Sequence, residues 1–249
     1  MQISLNNISK KLSESFAIAD LNLLIEKEKT TVLIGPSGSG KSTVLRLIIG
    51  LVNPDKGEIK FGDLSSNEEV LSKNNLQNLR RQIGYVAQGG GLFPHLTAEE
   101  NIVLAAKEFR FSKEYIFQRL QELLSLTNLR KDLMSNYPHQ LSGGQIQRVS
   151  IMRALILEPK LILFDEPLVG LDPGTESNLR EDLKTIFANL KKTVLLITHD
   201  MSAAEFLGDT IIFMSKGQII DRKIEGHPNW DSLINASKDV GKKETTKDV

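Results

Sequence analysis

Cysteine is absent from all 249 residues, which removes disulfides, thiol nucleophiles, thiolate metal ligands and iron–sulfur clusters together. A chain without thiols fits a reducing compartment. There is no surplus of either charge: 31 Lys and Arg meet 31 Asp and Glu, for a formal net charge of zero. That leaves no footprint for sequence-independent nucleic-acid binding, which depends on excess Lys and Arg. No apolar run approaches the ~20 residues that span a bilayer. The opening MQISLNNISKKLSESF alternates polar and apolar residues and lacks the apolar core and small-residue cleavage site of a secretory signal. If the chain works at a membrane, something else must hold it there. What remains, 40% apolar and 25% charged residues, is the composition of a soluble globular protein. The length suits one large domain, or one domain carrying a subdomain.

Short β-rich runs alternate with helical stretches. Ile3–Ile8, Thr31–Ile34, Gly57–Gly62 and Ile83–Gln88 read as strands, and Lys41–Gly50 as a helix. From Thr97 to about Glu158 the apolar spacing is helical, with Leu, Ala, Glu, Lys, Gln and Arg dominant. Strand character returns at Leu161–Phe164, Val194–Thr198 and Ile211–Ser215, with helical runs at Gly174–Leu190 and Met201–Leu207 between them. Leu161–Phe164 and Val194–Ile197 are solidly apolar, as parallel strands covered on both faces are. The fold class is therefore α/β, its core interrupted by a helical insert of about 60–70 residues. No internal repeat is visible. Gly226–Pro228 is expected to end the ordered core, with Trp230 and Ile234 packing back and a solvated tail from Lys238.

The run Gly35, Pro36, Ser37, Gly38, Ser39, Gly40, Lys41, Ser42, Thr43 follows an apolar strand and opens a helix. In that context glycines let backbone N–H groups turn around a phosphate chain, a lysine reaches the β- and γ-phosphates, and a serine hydroxyl binds Mg²⁺. The helix aims its partial positive end at the same anion. The strand Leu161–Phe164 runs into Asp165 and Glu166, delivering two carboxylates to the same sheet edge. Because successive strand residues point to opposite sides, the two are expected to differ in role. Asp165 would serve the Mg²⁺ shell and Glu166 would activate the attacking water as general base. An Asp-Glu pair alone is more often a strand exit; beside a phosphate loop it reads as catalytic. His199 closes another apolar strand; spacing leaves it either a donor to the γ-phosphate or merely exposed.

Leu141, Ser142, Gly143, Gly144, Gln145, followed by Gln147-Arg148 and Arg153-Ala154-Leu155, is absent from generic phosphate-loop proteins. With GPSGSGKST, LILFDEP and ITHD in this order, the chain resembles the ATP-binding subunits of ABC transporters over about residues 1–225. The resemblance implies a P-loop NTPase (RecA-like) core, about 1–88 and 159–225, with an N-terminal antiparallel β subdomain. A helical subdomain would be inserted at about 89–158, and 226–249 would be a short C-terminal extension. It implies ATP and Mg²⁺ as ligands, and a head-to-tail dimer in which Ser142 and Gly144 serve the γ-phosphate of the opposite subunit. LSGGQ, a Ser/Gly-rich helix start, has the chemistry of an anion-binding cap.

By the same resemblance Gln88 joins the Mg²⁺/water site to the helical insert. The stretch Gly89–Thr97 would meet a permease, its three glycines permitting a hinge, and Asp172 belongs to a loop crossing the dimer interface. Members usually stack adenine on an aromatic near residue 12; this chain has Leu12, with Phe16 the nearest ring, so weaker base discrimination is expected. The implied function is an ATP-hydrolysing motor subunit, peripheral on the cytoplasmic face of the inner membrane. Its partners would be integral-membrane permease subunits, a second ATP-binding subunit and, indirectly, a substrate-binding protein. LFPHLTAEENI resembles importers more than exporters, and AQGGGLFPH with EFLGDTIIFM resembles the osmoprotectant (glycine betaine/choline) importers, then those for polar amino acids. The alternatives are a soluble ABC-type ATPase of translation or DNA repair, a phosphotransferase, and a lipid or drug exporter.

Overall fold

The computed structural model describes residues 1–12, 16–62, 64–65 and 73–224. The first half of the chain runs β1 (Ile3–Lys11), β2 (Phe16–Ile25), β3 (Thr30–Ile34), α1 (Lys41–Ile48), β4 (Lys56–Phe61), β5 (Leu64–Ser65), α2 (Lys73–Arg81) and β6 (Ile83–Val86). There follow α3 (Ala98–Glu108), α4 (Lys113–Leu126), α5 (Gly143–Leu155), β7 (Leu161–Asp165), α6 (Pro173–Leu190), β8 (Thr193–Thr198), α7 (Met201–Leu207), β9 (Thr210–Ser215) and β10 (Gln218–Ile224). No helix among the described residues is long and apolar enough to cross a membrane.

Two sheets result. One has the order β2-β1-β4-β5 and is antiparallel; the other runs β10-β9-β3-β8-β7-β6. In the second, β9, β3, β8, β7 and β6 pair in parallel and β10 closes one edge antiparallel. The solidly apolar runs become its centre: every residue of β3 and β8 is buried, as strands covered on both faces require. Alternation then divides each strand between two cores. Leu33, Leu161, Leu163, Leu195 and Ile197 face one shared with β1, β2, β4 and α1. Val32, Ile34, Ile162, Phe164 and Leu196 face the other, shared with α3 to α7. The parallel sheet is thus the middle layer of an α/β molecule with an antiparallel β layer against one face.

Sequence patterning misses β2, β10 and α2. In β2 the period breaks where the β1–β2 register shifts, and Asn7 and Asp20 sit there at φ 52° and 51°. Their side chains are bonded to each other, Asn7 Nδ2 to Asp20 Oδ1 at 3.0 Å. Such bulges destroy the strict alternation on which recognition of a strand depends. Strand β10 is a charged edge, and α2 (KNNLQNLRR) is polar almost throughout. The expected strand Ile83–Gln88 ends at Val86, leaving Gln88 in the following turn. The helix expected at Lys41–Gly50 ends at Ile48. The expectations for Gly226–Pro228, Trp230, Ile234 and the tail from Lys238 lie outside the described residues.

The loop between β6 and α3 is tied down by α3 itself. Thr97 caps that helix in a reciprocal box with Glu100, worth about 1 kcal/mol. One turn in, Asn101 is fully buried. Its amide donates to the carbonyls of Phe93, Leu96 and Thr97 at 3.0–3.1 Å, and its Oδ1 accepts the Phe93 N–H at 2.8 Å. Asn101→Leu keeps the branched outline but strands these backbone groups. It should lower stability by about 2–4 kcal/mol, read as a fall in the urea midpoint with an unchanged slope.

Candidate functional site

Parallel strands bring their carboxyl ends to one edge, and the register here aligns them: Ile34 pairs with Thr198, Asp165 with Ile197, and Val86 with Phe164. Directly beyond those ends lie the loop Gly35–Gly40, Glu166, His199 and Gln88. They come together around a cleft of about 780 Å³ walled by Pro36–Thr43, Gln88, Glu166 and His199, with Leu12, Ala17 and Val169 on its rim.

Two of the three glycines in this loop, Gly35 and Gly40, have tight surroundings. A Cβ on Gly35 would lie 2.1 Å from the Met214 carbonyl oxygen. Gly40 holds the N-cap of α1 at φ 102°, where a Cβ would also meet the Ala17 carbonyl at 2.6 Å. Helix α1 therefore starts with no side-chain cap and no acidic residue in its first turn. Its free N–H groups and positive dipole end are left for an anion. Lys41 is buried, its Nζ donating to the carbonyls of Gly35 at 2.7 Å and Pro36 at 3.0 Å. Burial pulls its ammonium below the ordinary lysine range, and the carboxylates of Glu166 and Asp165 offset part of that.

Asp165 and Glu166 do part company, although strand alternation is not the reason. Strand β7 stops at Asp165. Glu166 has already turned into the left-handed region at φ 49°, its N–H donating to the Ile197 carbonyl at 3.0 Å. This conformation is uncommon for a residue with a Cβ, and it corrects the expectation that both side chains follow the strand. Asp165 Oδ1 accepts the Ser42 hydroxyl at 3.3 Å. Its Oδ2 accepts the Tyr85 hydroxyl at 3.2 Å, a partner that sequence reasoning missed because one tyrosine in a strand carries no motif. Burial, and then the Asp165 charge, push the Tyr85 phenol up to about 12, so it stays a donor. His199 Nδ1 lies 2.9 Å from Glu166 Oε2. A carboxylate only accepts, so the imidazole proton sits on that nitrogen.

Ser142, Gly143, Gly144 and Gln145 do not wall this cleft. They form the start of α5, where Ser142 and Gln145 cap each other reciprocally. A Cβ on Gly144 would fall 2.4 Å from the Thr175 methyl, so this glycine also permits α5 to abut α6. Arg148 fastens the same two helices through Asp182 Oδ2 at 2.6 Å. Asp172 caps α6 by accepting the Thr175 N–H at 3.0 Å. Hydrogen bonds from Thr175 hold its carboxyl below the usual carboxylate range. Past Gln88, Gly90 and Gly91 are gripped by Arg153, whose guanidinium donates to their carbonyls at 2.9 and 2.8 Å. The side chain of Phe16 lies outside the described residues; its backbone pairs with Lys11 at the start of β2. Leu12 is 52% exposed.

Comparison with known proteins gives a match to the family model described as "ABC transporter" over residues 18–169. The carnitine transport ATP-binding protein OpuCA of Listeria monocytogenes is 42% identical over 237 residues, 90% of this chain and 58% of that protein. The glycine betaine uptake system ATP-binding protein YehX of Escherichia coli (strain K12) is 40% identical over 226 residues, 91% of this chain and 71% of the relative. Among solved structures, the dimeric post-hydrolysis state of the ATP-binding cassette MJ0796 bound to ADP and Pi superposes with a TM-score of 0.80 at 36% identity. It is matched over its whole length and over 91% of this chain. The matched family segment begins in β2 and runs through the phosphate loop, α5 and Glu166; of the residues on the cleft it includes Pro36–Thr43, Gln88, Glu166 and Val169, while Leu12, Ala17 and His199 lie outside it. The chain belongs to the ABC transporter family.

Proposed function

We propose that the chain is the ATP-hydrolysing motor subunit of a membrane importer. The observation that carries this reading is the convergence of Lys41, Ser42, Glu166 and His199 on one cleft at one sheet edge, with Asp165 bonded to Ser42 behind it. The triphosphate of ATP is held by the loop Gly35–Thr43, with Lys41 exchanging its two carbonyl contacts for phosphate oxygens. Glu166 accepts a proton from the water that attacks the γ-phosphate. His199, bonded to Glu166, steadies that carboxylate and presents its other nitrogen to the cleft.

Ser42 and Asp165 supply hard oxygen donors 3.3 Å apart, and Gln88 reaches the same cleft. Among the described residues no group of three or more His, Cys, Asp or Glu could cage a metal unaided. That donor set fits Mg²⁺, which is typically held by one or two protein oxygens together with phosphates and water. When bound, Mg²⁺ neutralises charge on the β- and γ-phosphates.

The LSGG helix start lies away from this cleft within one chain. This supports a site completed by Ser142, Gly143 and Gly144 of a second, head-to-tail copy, with Gln145 spent on capping and Asp172 near the seam. The dimeric MJ0796 cassette points the same way. Partners of the pair are permease subunits in the inner membrane, holding it peripherally on the cytoplasmic face, and indirectly a substrate-binding protein. Cargo is an osmoprotectant-like small solute, in keeping with the carnitine and glycine betaine systems of the relatives.

Purification of the tagged chain from gently solubilised native membranes should bring down a multi-span permease; soluble partners alone would overturn the transport role. Glu166→Gln should still bind ATP, lose about 100-fold or more in turnover, and accumulate as an ATP-loaded dimer on size exclusion. Lys41→Ala should weaken nucleotide binding itself, by about 10- to 100-fold. With Leu12 the only described apolar side chain where a stacking ring is usual, GTP should compete with ATP within about tenfold, because an aromatic pair is worth only about 0.5–1.5 kcal/mol. A fluorescent-nucleotide displacement assay measures that ratio.

A further inference from the structure

Tyr85 takes no part in the reaction just proposed, yet its hydroxyl reaches the carboxylate that faces the phosphate loop. It sits on β6, where Gly84 and Val86 are buried on one face of the sheet and Ile83 and Tyr85 turn to the other. Next along the sheet, β7 presents Asp165, whose two oxygens are divided: Oδ1 takes the Ser42 hydroxyl, and Oδ2 takes the Tyr85 hydroxyl at 3.2 Å. A phenylalanine would fill the same space against the strand, so packing does not call for the oxygen. What the hydroxyl does is occupy one carboxylate oxygen and aim the other at Ser42.

We propose that Tyr85 is a positioning residue that restricts Asp165 to a one-oxygen ligand and thereby makes the nucleotide site select Mg²⁺-like ions over Ca²⁺. This rests on the nucleotide reading of the cleft. The chemistry follows from the ions. Mg²⁺ and similarly small ions take near-octahedral shells with single-oxygen carboxylate contacts and retained water, whereas Ca²⁺ accepts higher coordination and two-oxygen carboxylates. Groups that hold a ligand from behind commonly change metal affinity by about 10- to 100-fold when lost. With one lone pair of Oδ2 taken and the carboxylate held in orientation by Tyr85, a two-oxygen contact to Ca²⁺ is disfavoured; released, Asp165 can turn to make one.

The test is Mn²⁺ titration followed by electron paramagnetic resonance on the full chain, with a non-hydrolysable ATP analogue present and Ca²⁺ as competitor. Tyr85→Phe should bind the analogue without metal as the parent does and unfold at the same temperature. It should hold Mn²⁺ about tenfold less tightly, with a smaller loss for Ca²⁺, so that the preference narrows. Asp165→Asn should abolish the nucleotide-dependent Mn²⁺ signal. If that signal requires Asp165 but Tyr85→Phe leaves affinity and preference unchanged, the role of Tyr85 is overturned and the nucleotide reading stands. If Asp165→Asn leaves the signal intact, the roles of Asp165 and Tyr85 fall while the nucleotide reading stands; if the parent chain shows no nucleotide-dependent Mn²⁺ signal, both fall together.

Discussion

Because β3, β8, β7 and β6 run the same way and pair without a slip in register, the residues after each strand have nowhere to go but one edge. Everything else in the site is arranged on that ladder. Segments far apart in the chain, near positions 35, 88, 166 and 199, meet because the hydrogen bonds between strands set Ile34 beside Thr198, Asp165 beside Ile197 and Val86 beside Phe164. The ladder itself is secured by burial on both sides, with neighbouring residues of each strand committed to opposite cores. A one-residue slip would exchange those commitments throughout a strand, so the alignment of the edge and the packing of the interior are the same constraint.

Within that frame the site contrasts two carboxylates one residue apart. Asp165 ends its strand in an ordinary conformation and is held by hydroxyls on both oxygens. Glu166 turns out of the strand in a conformation that side chains seldom adopt, kept there by its N–H on the Ile197 carbonyl and by His199. The ladder to β8 is what maintains this posture, since both restraints on Glu166 come from that strand and the residue following it. A buried lysine opposite them, held by backbone carbonyls rather than by a carboxylate, leaves neither acid paired off in advance.

Much of this was legible in the sequence. The strands carrying the edge are short, apolar and bounded, and the motifs lie at their ends, so pattern alone names Lys41, Asp165 and Glu166; spacing left His199 open, and Gln88 came only from the family resemblance. Elements lacking such signals were not visible. The Asn7–Asp20 bulge breaks the period of β2, β10 is a charged edge, and α2 offers hardly any apolar stripe. Single-residue supports were also hidden. Tyr85 and Asn101 gain meaning only when folding brings a carboxylate or a set of carbonyls to them, and Arg153, visible as part of a motif, shows its grip on the glycine loop only in the fold. The glycines Gly89–Gly91 suggested an open hinge, whereas the structure shows Gly90 and Gly91 clasped by Arg153.

That clasp has a mechanical consequence. Arg153 and Ser142 stand at opposite ends of α5, a continuous helix of 13 residues, about 20 Å long at 1.5 Å per residue. One end grips the loop that follows Gln88; the other carries the LSGG cap. Helix α5 thus spans the distance between them as one element, fastened to α6 by the Arg148–Asp182 pair and by the close seat of Gly144 on Thr175. The glycine loop and the LSGG cap are therefore coupled through one helix, with no flexible joint between them.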